Sequence, residues 1–170
     1  MSMNTTTRAV SGLCALAAVV TATAGCKLPF SGESVTVQAE NPSLAAAFDR
    51  VQDAHGSARL GDIVAESGVG IGEWDRMYSF YSPNTEDKVN AVLGTPDLDW
   101  KGLAQGSDSA MQVFVRGGKV VYAFDDKLPR HSVGTHKYAT PDSLVQAREE
   151  QDKGPLSRGT VWVLDIQQFS

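Results

Sequence analysis

The chain has little cysteine, little histidine and no cluster of positive charge. Its 170 residues include two cysteines and three histidines, and its formal net charge is -5. An acidic chain without a Lys/Arg patch is a poor match to a phosphate backbone, so nucleic acid is not an expected partner. Since Cys14 lies in the apolar leader described below, Cys26 alone remains, and an internal disulfide is not expected.

A long apolar segment is also lacking. The apolar run at residues 9–20 is shorter than the ~20 residues that a membrane-spanning helix needs. It follows the single charge of Arg8 and precedes the small residues Ala24 and Gly25, which is the arrangement of a signal peptide. We therefore expect residues 1–25 to direct export and then to be removed.

The end of this leader, Thr23-Ala24-Gly25-Cys26, resembles the lipobox of bacterial lipoproteins, with Thr23 where that family usually has Leu. The resemblance implies that the Cys26 thiolate accepts the lipid. Fatty chains such as palmitate would then hold the protein on the extracytoplasmic face of the cell membrane. The alternative is cleavage after Ala24, because Ala22-Thr23-Ala24 also fits ordinary secretory processing and would release a soluble protein.

Residues 26–41 are predicted to be the lipidated cysteine and a polar tether, in which Val35 and Val37 alternate with polar residues and allow a short edge strand. Residues 42–170 are enough for a single domain with one core. The predicted helices begin at Asn41-Pro42, at Thr85 and at Thr140-Pro141-Asp142, where a capping side chain or a proline suits a first helical turn. A shorter helical turn is expected around Leu60 and Val64.

Strands are expected at residues 74–81, at 160–166, and on both sides of Gly117-Gly118, whose residues permit the backbone of a tight hairpin turn. This order predicts an α+β fold, a small antiparallel sheet of about four strands with two or three packed helices. Several strands are apolar on both faces, as in Val113-Phe114-Val115. Their second face must be covered by this chain, or by a partner protein or an apolar ligand.

Two family resemblances follow from these segments. Trp74-Asp75-Arg76-Met77-Tyr78-Ser79-Phe80, a helix ending in Val92-Leu93-Gly94, and the hairpin resemble an uncharacterised family of envelope lipoproteins from Gram-positive bacteria. Residues 89–96, followed by a Trp and a hairpin, are similar to small SmpA/OmlA-type lipoproteins and to β-lactamase inhibitory protein. The second resemblance implies a small α+β module that binds proteins and has no catalytic residues.

The residues with chemical potential are few. His131 and His136, with Asp125 and Asp126 upstream, can be drawn into a metal site, but their spacing lacks the pattern of metal ligands, and ordinary loop histidines are the expected state. No catalytic set, metal or cofactor is therefore expected.

The cluster of Trp74, Asp75, Arg76 and Tyr78 has the residue types of interface hot spots. Its structural alternative is that the two aromatic residues pack in the core while Asp75 and Arg76 pair across a strand.

The sequence thus predicts a membrane-anchored binding or adaptor module of the cell envelope, with an envelope protein as its expected partner. It does not predict an enzyme. The alternative from another class is a small envelope hydrolase using His131 or His136.

Overall fold

The computed structural model describes residues 33–103, 105–106, 109–126, 133–152 and 159–170. The predicted leader at residues 1–25, Cys26 and His131 lie outside these ranges. The predictions on them stay predictions.

Three helices form in the described part of the chain: α1 (Pro42–Asp53), α2 (Leu60–Glu66) and α3 (Glu86–Leu93). At the start of α1, Asn41 Oδ1 accepts hydrogen bonds from the amides of Ser43 at 3.0 Å and Leu44 at 3.3 Å. These bonds satisfy amides that the first turn leaves without a partner. The predicted first helix and the short turn at α2 are confirmed.

Helix α3 has both of its predicted end signals. Thr85 Oγ1 accepts from the amide of Lys88 at 3.4 Å, and Gly94 ends the helix with a left-handed φ of 71°. Glycine adopts that backbone without a Cβ clash. Val89 is fully buried, while Val92 and Leu93 are partly buried, so the predicted apolar stripe faces the core.

Eight short strands form three small sheets. The strands are β1 (Ser34–Thr36), β2 (Ser57–Arg59), β3 (Arg76–Tyr81), β4 (Asp99–Lys101), β5 (Ala110–Arg116), β6 (Lys119–Asp126), β7 (Leu144–Gln151) and β8 (Thr160–Ile166). Strands β1 and β4 pair in parallel, whereas the sheets ordered β2-β7-β8 and β3-β5-β6 are antiparallel. The α+β prediction is confirmed, but the single sheet of about four strands is wrong. β1 contains Val35 of the short edge strand that the sequence allowed, whereas β2 and β4 were missed because each has three residues, too few to show a periodic pattern.

The predicted third helix is also wrong, because that segment forms β7. Thr140-Pro141-Asp142, taken as a helix start, is a turn in which Ser143 N donates to Thr140 O at 3.0 Å; proline suits such a turn as well as it suits a helix. Val145 and Ala147 are buried between exposed neighbours. Pairing with β2 on one side and β8 on the other outweighs the helical propensity of this Gln-, Arg- and Glu-rich segment.

The hairpin between β5 and β6 is confirmed. Gly117 and Gly118 both have positive φ angles, 56° and 80°, as a two-residue hairpin turn of this hand requires. The strand expected at residues 74–81 is confirmed from Arg76 onward, and Trp74 lies before it.

The core consists of two apolar clusters on the two faces of the β3-β5-β6 sheet. The first cluster contains Phe48 of α1, Phe114 of β5 and Leu164 of β8, and the second contains Val89 of α3 and Val113 of β5. Consecutive residues of β5 point to opposite faces, so its apolar residues fill both clusters. Both faces of β5 are therefore covered by this chain itself, and not by a partner protein or an apolar ligand.

Strand β8 is less completely covered than β5. Val161 and Trp162 are 42% and 36% exposed, so the start of this strand keeps apolar surface in contact with solvent.

Candidate functional site

The four residues predicted as an interaction surface divide into two pairs. Trp74 is half-buried against the first cluster, with its ring edge-on to Phe114 at 5.0 Å between centroids. Asp75 does not pair with Arg76 across a strand; its Oδ2 accepts from the Gly117 amide at 2.6 Å. Trp74 and Asp75 therefore support the fold and the hairpin turn.

Arg76 and Tyr78 lie at the surface on the side of the sheet that carries the second cluster. The Arg76 guanidinium lies 4.6 Å from the centre of the Tyr138 ring and donates to Tyr78 Oη at 3.5 Å. The hydrogen bond and the electrostatic attraction to Tyr78 raise the pKa of Arg76 above its ordinary value. Arg76 thus stays cationic over the Tyr138 ring and beside the Tyr78 hydroxyl.

A groove of about 230 Å³ opens next to this pair. Strand β3 supplies the aromatic floor, because its alternation places Tyr78 and Phe80 on the same face; their centroids lie 6.4 Å apart. The groove is lined by Tyr78, Ser79, Phe80, Tyr81, Lys88, Ala91, Val92, Thr135, His136 and Lys137.

The two walls of the groove come from distant parts of the chain. Lys88, Ala91 and Val92 are three and four positions apart and so form one stripe along α3. The opposite wall is the turn at residues 134–137, in which Lys137 N donates to Gly134 O at 3.0 Å and His136 has a left-handed φ of 62°. This turn holds His136 and Lys137 at the rim, where both are exposed.

The groove is cationic in an acidic protein. Among the described residues, its lining includes Lys88 and Lys137 but no Asp or Glu. The acidic residues in the first turn of α3 are used elsewhere: Glu86 Oε1 accepts from the Trp100 amide at 3.1 Å, and Asp87 lines a different depression. Positive charge is thus concentrated on both walls above an aromatic floor.

Below the groove, a polar network fixes Ser79 inside the sheet. Ser79 Oγ donates to Gln112 Oε1 at 2.6 Å and accepts from the Val133 amide at 2.9 Å. Gln112 Nε2 in turn donates to Asp126 Oδ2 at 3.4 Å. Gln112 is fully buried, so this network ties β3, β5 and β6 to the segment that leads into the groove wall.

The two candidate histidines separate here. His136 lies at the groove rim, while His131 is outside the described residues. Within the described residues, no three His, Cys, Asp or Glu side chains are grouped so that they could hold a metal ion.

The sequence analysis singled out Arg76, Tyr78 and His136 but missed the two lysines of this site. Lys88 and Lys137 are separated from β3 by several elements in the chain, and no local pattern joins them. The turn at residues 134–137 gives no sequence signal either. Glycine is the residue type usually found at a left-handed position, but here that position is His136 and not Gly134.

Comparison with protein-family models, with curated proteins and with solved structures gave no match to this chain. Among the described helices, none combines the length and the hydropathy needed to cross a membrane.

Proposed function

We propose that this protein is an exported lipoprotein, anchored through Cys26, that binds a partner of the cell envelope in the groove between β3, α3 and the turn at residues 134–137. The observation that carries the binding role is the groove itself: aromatic rings form its floor and cationic side chains form its rim. Concave, mostly apolar surfaces with a few convergent polar groups are the usual form of a binding site.

Chain length alone limits how far the anchor would lie from the start of the described domain. The first described residue, Glu33, is seven positions after Cys26, and its carbonyl accepts from the Asp99 amide. At ~3.3–3.6 Å per residue such a segment reaches at most about 25 Å. An anchored Cys26 would therefore keep Glu33 within about that distance of the bilayer surface, which suits a module of the envelope.

The binding role can be tested by photo-crosslinking in growing cells. A photoreactive amino acid replaces Ala91, which is exposed in the groove wall, and the matched control replaces Ala65, which is exposed on α2 outside the groove. We expect a discrete adduct from position 91 that is absent from position 65. Equal adducts at both positions, or none at position 91, would contradict the proposal.

The hydrolase alternative has its own test. If His136 served catalysis, His136→Gln would abolish the protein's contribution to cell fitness while leaving the position 91 adduct intact. The binding proposal expects fitness and the adduct to change together.

A further inference from the structure

The groove has a size and a charge that restrict what it can hold. At about 230 Å³ it is smaller than the ~300–1,000 Å³ of ordinary small-molecule sites. An engineered apolar cavity of roughly 150 Å³ binds benzene. The groove is therefore large enough for a single large apolar side chain.

The charges favour an apolar group that carries an anion. Lys88 on α3 and Lys137 on the opposite turn flank the floor, and neither ammonium forms an ion pair within the described part of the chain. Cationic side chains near an apolar floor favour a ligand whose negative charge is close to its apolar group. The last residue of a polypeptide has both, because it carries its side chain and its α-carboxylate on one Cα.

Part of the described groove lining faces solvent. Tyr81 is 48% exposed and Ala91 is exposed, so the chain that precedes a bound terminal residue has a path to solvent. A polypeptide end fits this geometry better than a free small molecule does, since a free molecule gains nothing from the open side.

We infer that the groove binds the carboxyl-terminal residue of a partner polypeptide, with an apolar or aromatic side chain on Tyr78 and Phe80 and the terminal carboxylate between Lys88 and Lys137. This inference rests on the proposed binding function and names its ligand class. The rim charges fix the direction of the peptide, and the small floor limits recognition to one side chain.

The test uses the intact protein in detergent and fluorescein-labelled peptides that end in Phe, with the label at their amino end. Fluorescence anisotropy compares the free carboxylate with the carboxamide of the same peptide. We expect the carboxylate to bind about ten-fold more tightly, a ratio typical of one charge-assisted contact. Its binding should weaken as salt is added. Equal binding of the two peptides, or no binding of either, would overturn the inference.

Matched variants locate the contact. Lys88→Gln and Lys137→Gln should each weaken carboxylate binding several-fold and leave the carboxamide unchanged. Lys119→Gln removes the same charge from the hairpin turn, roughly 15 Å along the sheet, and should have no effect. Tyr78→Ala removes an aromatic ring from the floor and should weaken the binding of both peptides, while circular dichroism checks that the fold is kept. Loss of binding in Lys119→Gln equal to that in Lys88→Gln would contradict the site.

Two further arms separate this inference from its competitors. Free phenylpropionate should compete only weakly, and phosphatidylglycerol vesicles should bind the Lys88→Gln variant as well as the unaltered protein. If vesicle binding depends on Lys88 and no peptide binds, the ligand is a lipid headgroup and the inference of a peptide end is wrong. If no peptide binds but the position 91 adduct still forms in cells, the ligand class is wrong and the proposed function stands.

Discussion

Asp75 is an acidic residue between two large side chains, and in the structure its role is to hold a turn. Its carboxylate accepts from the Gly117 amide across 42 positions of sequence, so it fixes the hairpin to the start of β3. Its neighbour Arg76 takes the opposite role, since its charge lies over the Tyr138 ring at the surface. Residue type alone does not separate these two roles, because a charged side chain beside an aromatic one occurs in both.

Asp75→Asn should destabilise the protein by about 1–2 kcal/mol, because a neutral amide oxygen then replaces the charged carboxylate as acceptor of the bond from the Gly117 amide. The free energy of unfolding in urea measures the loss. Asp97→Asn, in an exposed loop, removes the same charge and should change stability by less than about 0.5 kcal/mol. Equal effects of the two variants would mean that net charge, and not the bond to Gly117, is responsible.

Gln112→Leu should cost about 1–3 kcal/mol, because it removes the buried partner of Ser79 Oγ and a donor to Asp126. Denaturant unfolding of this variant is compared with that of Gln146→Leu, in which the glutamine is exposed on β7. A stable Gln112→Leu variant would show that the network does not contribute to the fold.

At the scale of elements, the sequence predicted the features that depend only on neighbouring residues. The start of α1 at Asn41-Pro42, the end of α3 at Gly94 and the turn at Gly117-Gly118 were all predicted and confirmed, because capping and positive φ depend on neighbouring residues. β7 was not predicted, because its strand state depends on two partner strands that are distant in sequence. The groove was missed for the same reason.

The strand state of β7 can be tested at Arg148. By the register of the sheet, its amide points toward β8, so Arg148→Pro should cost about 3 kcal/mol through the lost ladder bond. Arg148→Thr removes the same surface ion pairs but favours a strand, and we expect its unfolding free energy to stay near that of the unaltered protein. A helix at this segment would instead be weakened by threonine, and thermal unfolding of both variants separates the two cases.

At the scale of the whole molecule, the described domain combines a closed core with an open groove. The described domain has two clusters that pack both faces of one sheet, so its interior is closed by its own elements. Besides the apolar start of β8, the fold leaves open the aromatic, cationic groove. A closed core with an open charged groove suits a small module that binds, and a short segment after Cys26 would keep that module at the membrane surface.

The most direct test of this account is the mass of the amino-terminal peptide of the native protein, purified from membranes. We expect a chain that begins at Cys26 and carries diacylglyceryl on its sulfur, and Cys26→Ser should move the protein out of the membrane fraction. An unmodified chain that begins at Gly25, or an unprocessed chain that begins at Met1, would contradict the account.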